Sequence, residues 1–232
     1  MKKQNITKQS HFTPRQLLAH IAALALLAAS GGSVLAAETT TAKPEESLKR
    51  LQDGNARFVA ETPTQTTKDA KRRAEVAQGQ KPFAIIVSCS DSRVGPEVVF
   101  DQGLGDIFVV RTAGHVVDDV GLGSIEYAVE HLGASLILVL GHERCGAVAA
   151  TVAGGEAHGH VSAIVKAIKP AVTKTKGQPG DAVDNAVRAQ VLEVVGQLQK
   201  SGPVLAERVK AGKLKVAGAR YDLDTGRVEV IE

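Results

Sequence analysis

The stretch "FAIIVSCSDSR", residues 83–93, joins a short apolar run to a cysteine, an aspartate and an arginine within five positions. Short, nearly continuous apolar runs fit strands that are buried on both faces, as in a parallel sheet. Two further runs follow, "DIFVVRTA" (106–113) and "SLILVLGH" (135–142). Helical periodicity recurs at residues 121–133, 145–155, 161–172, 181–201 and 203–212. This alternation predicts an α/β fold with a mainly parallel β-sheet flanked by helices.

The two ends of this pattern are also structured. The segment "KPEESLKRLQDGNARFV" (43–59) predicts a helix that forms an N-terminal helical arm, and a second, charged helix is predicted at 67–78. In the closing segment, 214–232, the residues "DTG" (224–226) are typical of a hairpin turn between two strands. Together these elements predict a single domain over residues 44–232.

Residues 1–36 have the layout of a secretory signal peptide, with a basic start, an apolar run at 17–29 and small residues ending at Ala36. A membrane anchor is the alternative, but this run is shorter than the roughly 20 residues that span a bilayer. We therefore predict cleavage after Ala36 and a flexible mature N-terminus at 37–43. The protein is expected to be exported, to the periplasm or, if the host has no outer membrane, as a secreted protein.

Removal of this leader changes the charge balance of the chain. Residues 1–36 hold four of the 28 Lys and Arg and no Asp or Glu, which leaves 24 basic against 25 acidic residues, a net charge of −1. A nucleic-acid-binding protein usually shows a basic face, so no nucleic-acid partner is expected. No later segment is long and apolar enough to span a membrane, so no membrane association is expected after cleavage.

The chain has two cysteines, Cys89 and Cys145. Cys89 ends one predicted strand, His142 ends another, and Cys145 begins the next helix. Ligands bind at the carboxyl ends of parallel strands, so we expect these three side chains to meet at one edge of the sheet. Two thiolates and an imidazole suit zinc, with a fourth position left for water in a catalytic site. A disulfide is the alternative in an exported protein, but it leaves His142, Asp91 and Arg93 without a role.

The segment "CSDSR" (89–93), followed by "GHERCGAV" (141–148), resembles the β-class carbonic anhydrases. The resemblance runs from about Ser47 to the end of the chain and includes "GDIFVVRTAG", "GSIEYAVEHLG" and "YDLDTGRVEV". It implies reversible hydration of carbon dioxide to bicarbonate and a proton. It also implies one Zn²⁺ per subunit, held by Cys89, His142 and Cys145.

The resemblance assigns Asp91 and Arg93 to a catalytic dyad. Asp91 would accept a hydrogen bond from the attacking nucleophile and orient it toward carbon dioxide, and Arg93 would hold the carboxylate through a paired contact. Without Arg93, Asp91 could move onto the zinc, a closed form that exists in some members of the family. The alternative for this pair is an ordinary salt bridge in a surface loop.

A substrate pocket is also implied by position. Its residues are Gln80, Phe108, Ala113, Tyr127 and Gly146, the last through its backbone N–H. Active sites in this family lie at a dimer interface, and the counterparts of Gln80, Phe108 and Tyr127 come from the partner subunit. The resemblance therefore implies a homodimer or a dimer of dimers. For Phe108 and Tyr127, ordinary core packing is the alternative.

Several positions bear on the branch of the family and on proton transfer. His131 lies one helical turn past Tyr127 and matches a histidine discussed as a proton shuttle, although a helix-surface histidine is an equal alternative. Ile86 stands where the bicarbonate-regulated branch carries tryptophan, which favours the accessible, plant-like site. Two departures from the family pattern are the threonine of "VRT" (110–112) and His115, because many members carry asparagine at these positions.

The sequence alone allows three other functions for this site. A nucleophilic Cys89 could act as in cysteine phosphatases, but their loops place five residues between cysteine and arginine, whereas this chain has three. A similar zinc site could hydrolyse carbon disulfide or carbonyl sulfide. A non-catalytic zinc- or bicarbonate-binding module is a further alternative, and loss of the Asp91 carboxylate separates it from an enzyme.

Overall fold

The computed structural model describes residues 42–64 and 68–231. The predicted signal peptide and residues 37–41 lie outside this part. The helices are α1 (Pro44–Val59), α2 (Ala70–Val76), α3 (Pro96–Val99), α4 (Asp119–Glu130), α5 (Gly146–Ala153), α6 (Val161–Thr175), α7 (Ala182–Lys200) and α8 (Val204–Lys210). The strands are β1 (Ala84–Cys89), β2 (Ile107–Thr112), β3 (Leu136–His142), β4 (Lys215–Tyr221) and β5 (Val228–Ile231), and a 3₁₀ turn (Ala113–His115) follows β2. None of the helices in the described ranges has the length and apolarity needed to cross a membrane.

The five strands form one sheet in the order β2–β1–β3–β4–β5. β1 pairs in parallel with β2 and β3, β3 pairs in parallel with β4, and β5 runs antiparallel to β4. The predicted mainly parallel sheet is confirmed, and β4 joins β5 through the predicted turn, where the Gly226 N–H donates to the Asp222 carbonyl at 2.9 Å. The chain passes from β1 to β2 on one side and then to β3 on the other, so the topological switch point lies between β1 and β3.

Alternate strand residues enter two separate apolar clusters. Ile85 and Val87 of β1 pack on the side covered by α4, α7 and α8, whereas Ala84 and Ile86 pack on the side covered by α1 and α3. Every residue of β1 and β3 is buried. Strands buried on both faces need apolar side chains at successive positions, which explains the continuous runs in the sequence.

Capping explains where two helices depart from their predicted starts. α4 begins two residues earlier than predicted because the Asp118 side chain accepts a hydrogen bond from the Gly121 N–H at 2.8 Å. α2 begins three residues later than predicted because Asp69 accepts from the Arg72 N–H at 2.8 Å. These are ordinary N-cap contacts of aspartate. The sequence pattern did not predict the four-residue helix α3 or the 3₁₀ turn.

Gly54 allows α1 to lie directly against the end of α3. A Cβ atom at this position would lie 1.8 Å from the Phe100 carbonyl oxygen, which is backbone and cannot rotate away. The neighbouring Asn55 side chain donates to the Val99 carbonyl at 3.0 Å and accepts from the Val228 N–H at 2.9 Å. Glycine weakens a helix interior, and here the close approach of two backbones requires it.

We expect Gly54→Ala to lower the free energy of unfolding by about 3 kcal/mol, because α1 must shift away from Phe100 and overpacking costs are of this order. Gly196→Ala in α7 is the matched control, since within the described residues no atom outside the helix's own backbone lies within 4 Å of a Cβ at that position. Helix propensity predicts a gain of up to about 1 kcal/mol for the control. Urea unfolding measures both, and equal stability of the two variants would contradict this packing argument.

Candidate active site

Three side chains converge at the switch point of the sheet. Cys89 ends β1, His142 ends β3, and Cys145 is the N-cap residue of α5. Their ligand atoms all lie within 4.8 Å of one another, and all three residues are buried. The two Sγ atoms are 3.9 Å apart, about twice the length of a disulfide bond, and both cysteines are free thiols. The structure thus brings together the three residues that the sequence proposes as metal ligands, hereafter the ligand trio.

The His142 ring is oriented by its own backbone neighbour. Its Nδ1 atom lies 2.8 Å from the Glu143 carbonyl oxygen, so Nδ1–H donates and Nε2 carries the free lone pair. Nε2 is buried and has no hydrogen-bond partner among the described residues. A buried nitrogen without a partner is unfavourable, and a metal ion bound at Nε2 would satisfy it. Fixing the second ring nitrogen on a carbonyl is typical of histidine ligands of metals.

The surroundings of the two thiols favour a thiolate at Cys89. The pKa of Cys89 is lowered mainly by the hydrogen bond from Cys145, which outweighs desolvation, and further by His142 and by the Gly114 N–H at 3.3 Å from its sulfur. The same hydrogen bond and burial raise the pKa of the Cys145 thiol. A divalent cation would favour loss of the thiol protons, because positive charge lowers thiol pKa values.

The Asp91 carboxylate lies beside the ligand trio and is paired with Arg93. The Arg93 side chain donates through Nε to Oδ1 at 2.9 Å and through Nη2 to Oδ2 at 2.7 Å, and the Arg93 backbone N–H donates to Oδ1 at 3.0 Å. These bonds hold the pKa of Asp91 well below its usual range. Asp91 Oδ2 lies 3.8 Å from His142 Nε2. An ionised, oriented carboxylate thus lies next to the ligand trio.

An ion-pair network supports the carbonyl that orients His142. The Glu143 carboxylate accepts from the Arg220 guanidinium and from the Leu223 N–H, and Arg220 also donates to Asp184 of α7. Arg220 is nearly buried, so this network is shielded from solvent. The network joins residues that are far apart in the sequence, which is why sequence patterns did not reveal it. Its effect is to fix the backbone on which the His142 ring rests.

The predicted pocket residues fall into two groups. Ala113 begins the turn whose amide contacts Cys89, and Gly146 directly follows Cys145, so both lie beside the ligand trio. Phe108 lies elsewhere, because it pairs with Ile85, four residues before the end of β1. At 3.3 Å per residue, this is about 13 Å along the strand from Cys89.

Gln80, Tyr127 and His131 lie on the surface of the chain. Gln80 is exposed and lines a groove together with Leu104 and Gly105. Tyr127 is 48% exposed on α4, and its ring centre lies 5.1 Å from that of His131. Within the described ranges, none of these three side chains forms a hydrogen bond with the ligand trio. A single chain therefore does not assemble the whole predicted pocket.

Two residues near the site were not assigned from the sequence. His115 is fully buried in the 3₁₀ turn with a φ of 46°, and burial lowers its pKa to about 4, so its ring is neutral near pH 7. Arg111 donates to the carbonyl oxygens of Cys89 and Asp91. In the sequence, Arg111 stands out as a charged residue that follows the apolar run of β2.

Comparison with known proteins places this geometry in a family. The family model described as "Carbonic anhydrase" matches residues 84–228, a range that includes the ligand trio and Asp91. The carbonic anhydrase of Mycolicibacterium smegmatis is 46% identical over 191 residues, covering 81% of this chain and 93% of that protein. Carbonic anhydrase 2 of Mycobacterium tuberculosis is 45% identical over 188 residues, covering 79% and 91%. The chain belongs to the carbonic anhydrase family.

Solved carbonic anhydrases of the β class share the fold. The Coccomyxa enzyme, crystallised with acetazolamide, gives a TM-score of 0.65 at 28% identity and covers 79% of this chain and 86% of its own. A tetrameric β-carbonic anhydrase of Sordaria macrospora gives a TM-score of 0.63 at 26% identity, with 68% and 85% coverage. This carbonic anhydrase is therefore an enzyme of the β class, and family and fold together support carbon dioxide hydration.

Proposed function

We propose that this enzyme catalyses the zinc-dependent, reversible hydration of carbon dioxide, with one Zn²⁺ per subunit held by Cys89, His142 and Cys145. The observation that carries the proposal is the convergence of three ligand atoms within 4.8 Å, with an Asp91 oxygen 3.8 Å from His142 Nε2. Two thiolates and one imidazole fit zinc, and three protein ligands leave the open fourth position of a catalytic site.

The residues around this position suit the reaction. Bound zinc supplies the Lewis acidity that makes water a nucleophile near neutral pH. Asp91 accepts a hydrogen bond from the attacking oxygen and so turns a lone pair of that oxygen toward carbon. A C–O bond forms, one C=O electron pair moves onto oxygen, and bicarbonate results, while the proton lost by water passes to buffer. Arg93 binds both carboxylate oxygens through two parallel hydrogen bonds, which would keep Asp91 from becoming a metal ligand itself.

The remaining roles follow from position. Ala113 would offer a small apolar wall to carbon dioxide, and the Gly146 N–H at the start of α5 would donate to bicarbonate. His131, exposed at the end of α4 beside Tyr127, would pass the proton to buffer. An exposed imidazole suits this role because it can both accept and release a proton.

Stopped-flow hydration with a pH dye, together with the zinc content per chain, tests the proposal. We expect catalysed hydration and about one zinc per chain. Zinc without hydration at neutral and alkaline pH would support a binding module, or a zinc site for another small substrate such as carbon disulfide or carbonyl sulfide. An oxidised Cys89–Cys145 pair without zinc would support the alternative that the two cysteines form a structural disulfide.

We further propose that two copies of the chain complete the pocket, as a homodimer or a dimer of dimers. Phe108, Tyr127 and Gln80 would line the site of the partner subunit. In support of this, Phe108 is offset along the strand from Cys89, and Tyr127 and Gln80 are exposed on the surface of their own chain. Val120 and Tyr127 are large side chains of α4 that are 78% and 48% exposed, which is typical of a surface covered by a partner. Analytical ultracentrifugation of the zinc-loaded protein tests this, and a stable, active monomer would refute it.

Export to the periplasm, or secretion from a host without an outer membrane, is proposed on the sequence of residues 1–36 alone. The basic start, short apolar run and small residues before Ala37 support it. N-terminal sequencing of the protein from fractionated host cells tests this. A mature chain that starts at Ala37 in the exported fraction is the expected result, and an uncleaved chain confined to the cytoplasm would contradict it.

A further inference from the structure

Arg111 links the sheet to the loop that carries Asp91. It lies on β2, opposite Ser88 in the parallel register, and is half-buried. Its Nε donates to the Cys89 carbonyl at 2.8 Å, and its Nη2 donates to the Asp91 carbonyl at 2.6 Å. One planar side chain therefore binds the backbone of a metal ligand and the backbone of the adjacent acid.

The Asp91–Arg93 pair cannot by itself fix the carboxylate relative to the ligand trio. Both residues belong to the same loop, two positions apart, and the Arg93 side chain is 51% exposed. The pair can therefore keep its internal geometry while the loop moves as a unit. Position relative to the metal ligands requires a link from the loop to a rigid element of the fold.

The loop has three such links. Ser90 N–H donates to the Thr112 carbonyl at 3.0 Å, and Val94 is fully buried on the other side of the loop. Between these two anchor points, the Arg111 side chain links the loop to β2 by donating a hydrogen bond to the Asp91 carbonyl. The fixed fork of a guanidinium suits this task, because two donors are held at a set spacing and angle.

From these contacts we infer that Arg111 is a positioning residue for the hydration reaction, because it sets the distance between the Asp91 carboxylate and the ligand trio. The inference rests on the proposed function. Arg111 would act on the reaction through the backbone carbonyls of Cys89 and Asp91.

Two variants test the role. Arg111→Met keeps the apolar stem and removes every donor, whereas Arg111→Lys keeps the charge but has no planar fork to bridge both carbonyls. Arg57→Met is the matched control, since Arg57 is also partly buried and donates to the side chain and carbonyl of Asp101, away from the ligand trio. Each full-length protein is loaded with zinc for kinetics and with cobalt(II) for visible absorption, which reports the geometry at the metal.

We expect Arg111→Met to keep about one metal per chain while kcat falls at least about 10-fold, the lower range for loss of a group that orients a metal site. KM should change less than about 2-fold, because the lost interaction acts in the transition state. The cobalt absorption bands should shift, and Arg111→Lys should recover part of kcat. Arg57→Met should lower the melting temperature with unchanged kcat and cobalt bands.

Wild-type kcat in Arg111→Met overturns the inference, and so does a fall in kcat that only matches an equal loss of bound metal, since Arg111 would then retain the metal and not position Asp91. Should Arg111→Met not fold, Arg111→Lys decides, because a folded lysine variant with wild-type kcat and bands also overturns it. Failure of the proposed function is separate, because it would appear as absent hydration by the wild-type enzyme.

Discussion

The Cys145→Ser variant is expected to lose bound zinc and, with it, carbon dioxide hydration by at least about 10³-fold, since enzymes commonly exceed the uncatalysed rate by 10⁶-fold or more. Cys145 is fully buried and its sulfur lies 3.9 Å from that of Cys89. A serine hydroxyl does not ionise near neutral pH, so two ligands and only one thiolate would be left. Metal affinity falls when a ligand cannot supply a deprotonated atom.

The serine substitution changes the chemistry of the site more than its shape. The hydroxyl can still donate to the Cys89 sulfur, so the metal-free variant should unfold at nearly the same temperature as the metal-free wild-type protein. That comparison is the control, and metal analysis with stopped-flow hydration gives the two main readouts. A variant with full zinc and full hydration would show that Cys145 is not a ligand.

The position of the site follows from features that the sequence displays directly. Continuous apolar runs place Cys89 and His142 at the carboxyl ends of buried strands, and parallel pairing brings such ends to one edge of the sheet. Cys145 then follows His142 by less than one helical turn. Because local order and strand direction determine this convergence, the sequence could predict it without distances.

Other parts of the site depend on contacts that leave no pattern. Arg111 binds backbone carbonyls, which every residue carries, so its partners cannot be read from residue types. Glu143 and Arg220 are 77 positions apart and meet only because β3 and β4 are neighbours. Gly54 resembles a weak point of α1 until the Phe100 carbonyl is seen beside it. These features depend on how elements pack, and a single sequence does not specify that packing.

The pocket shows a different kind of limit. Phe108 and Tyr127 were expected to reach the active site of a partner subunit, and a single chain places Phe108 about 13 Å along the strand from Cys89. If pocket residues were sought only near the ligand trio of the same chain, both would be discarded. The offset of Phe108 and the exposure of Tyr127 are therefore informative only when a second copy is considered.

The Asp91→Asn variant is expected to keep about one zinc per chain and to lose about 10²-fold or more in kcat, the size seen when a hydrogen-bonding group that acts on the transition state is removed. Asparagine has nearly the shape of aspartate, so the loop and the ligand trio should stay in place. Its amide is neutral, and Arg93 can no longer form a charged pair with it. The attacking oxygen would thus lose an ionised, oriented acceptor.

Asp224→Asn is the matched control for this variant, because Asp224 also forms a two-bond pair with an arginine, Arg144, but is 71% exposed. We expect the control to change kcat less than about 2-fold, since exposed ion pairs contribute little. Arg93 holds the pKa of Asp91 below its usual range, so the wild-type carboxylate is already ionised above about pH 4. The ratio of wild-type to Asp91→Asn kcat should therefore be constant from about pH 6.5 to 9. Full activity in Asp91→Asn would refute the proposed role of the carboxylate, and loss of zinc would instead assign Asp91 to metal retention.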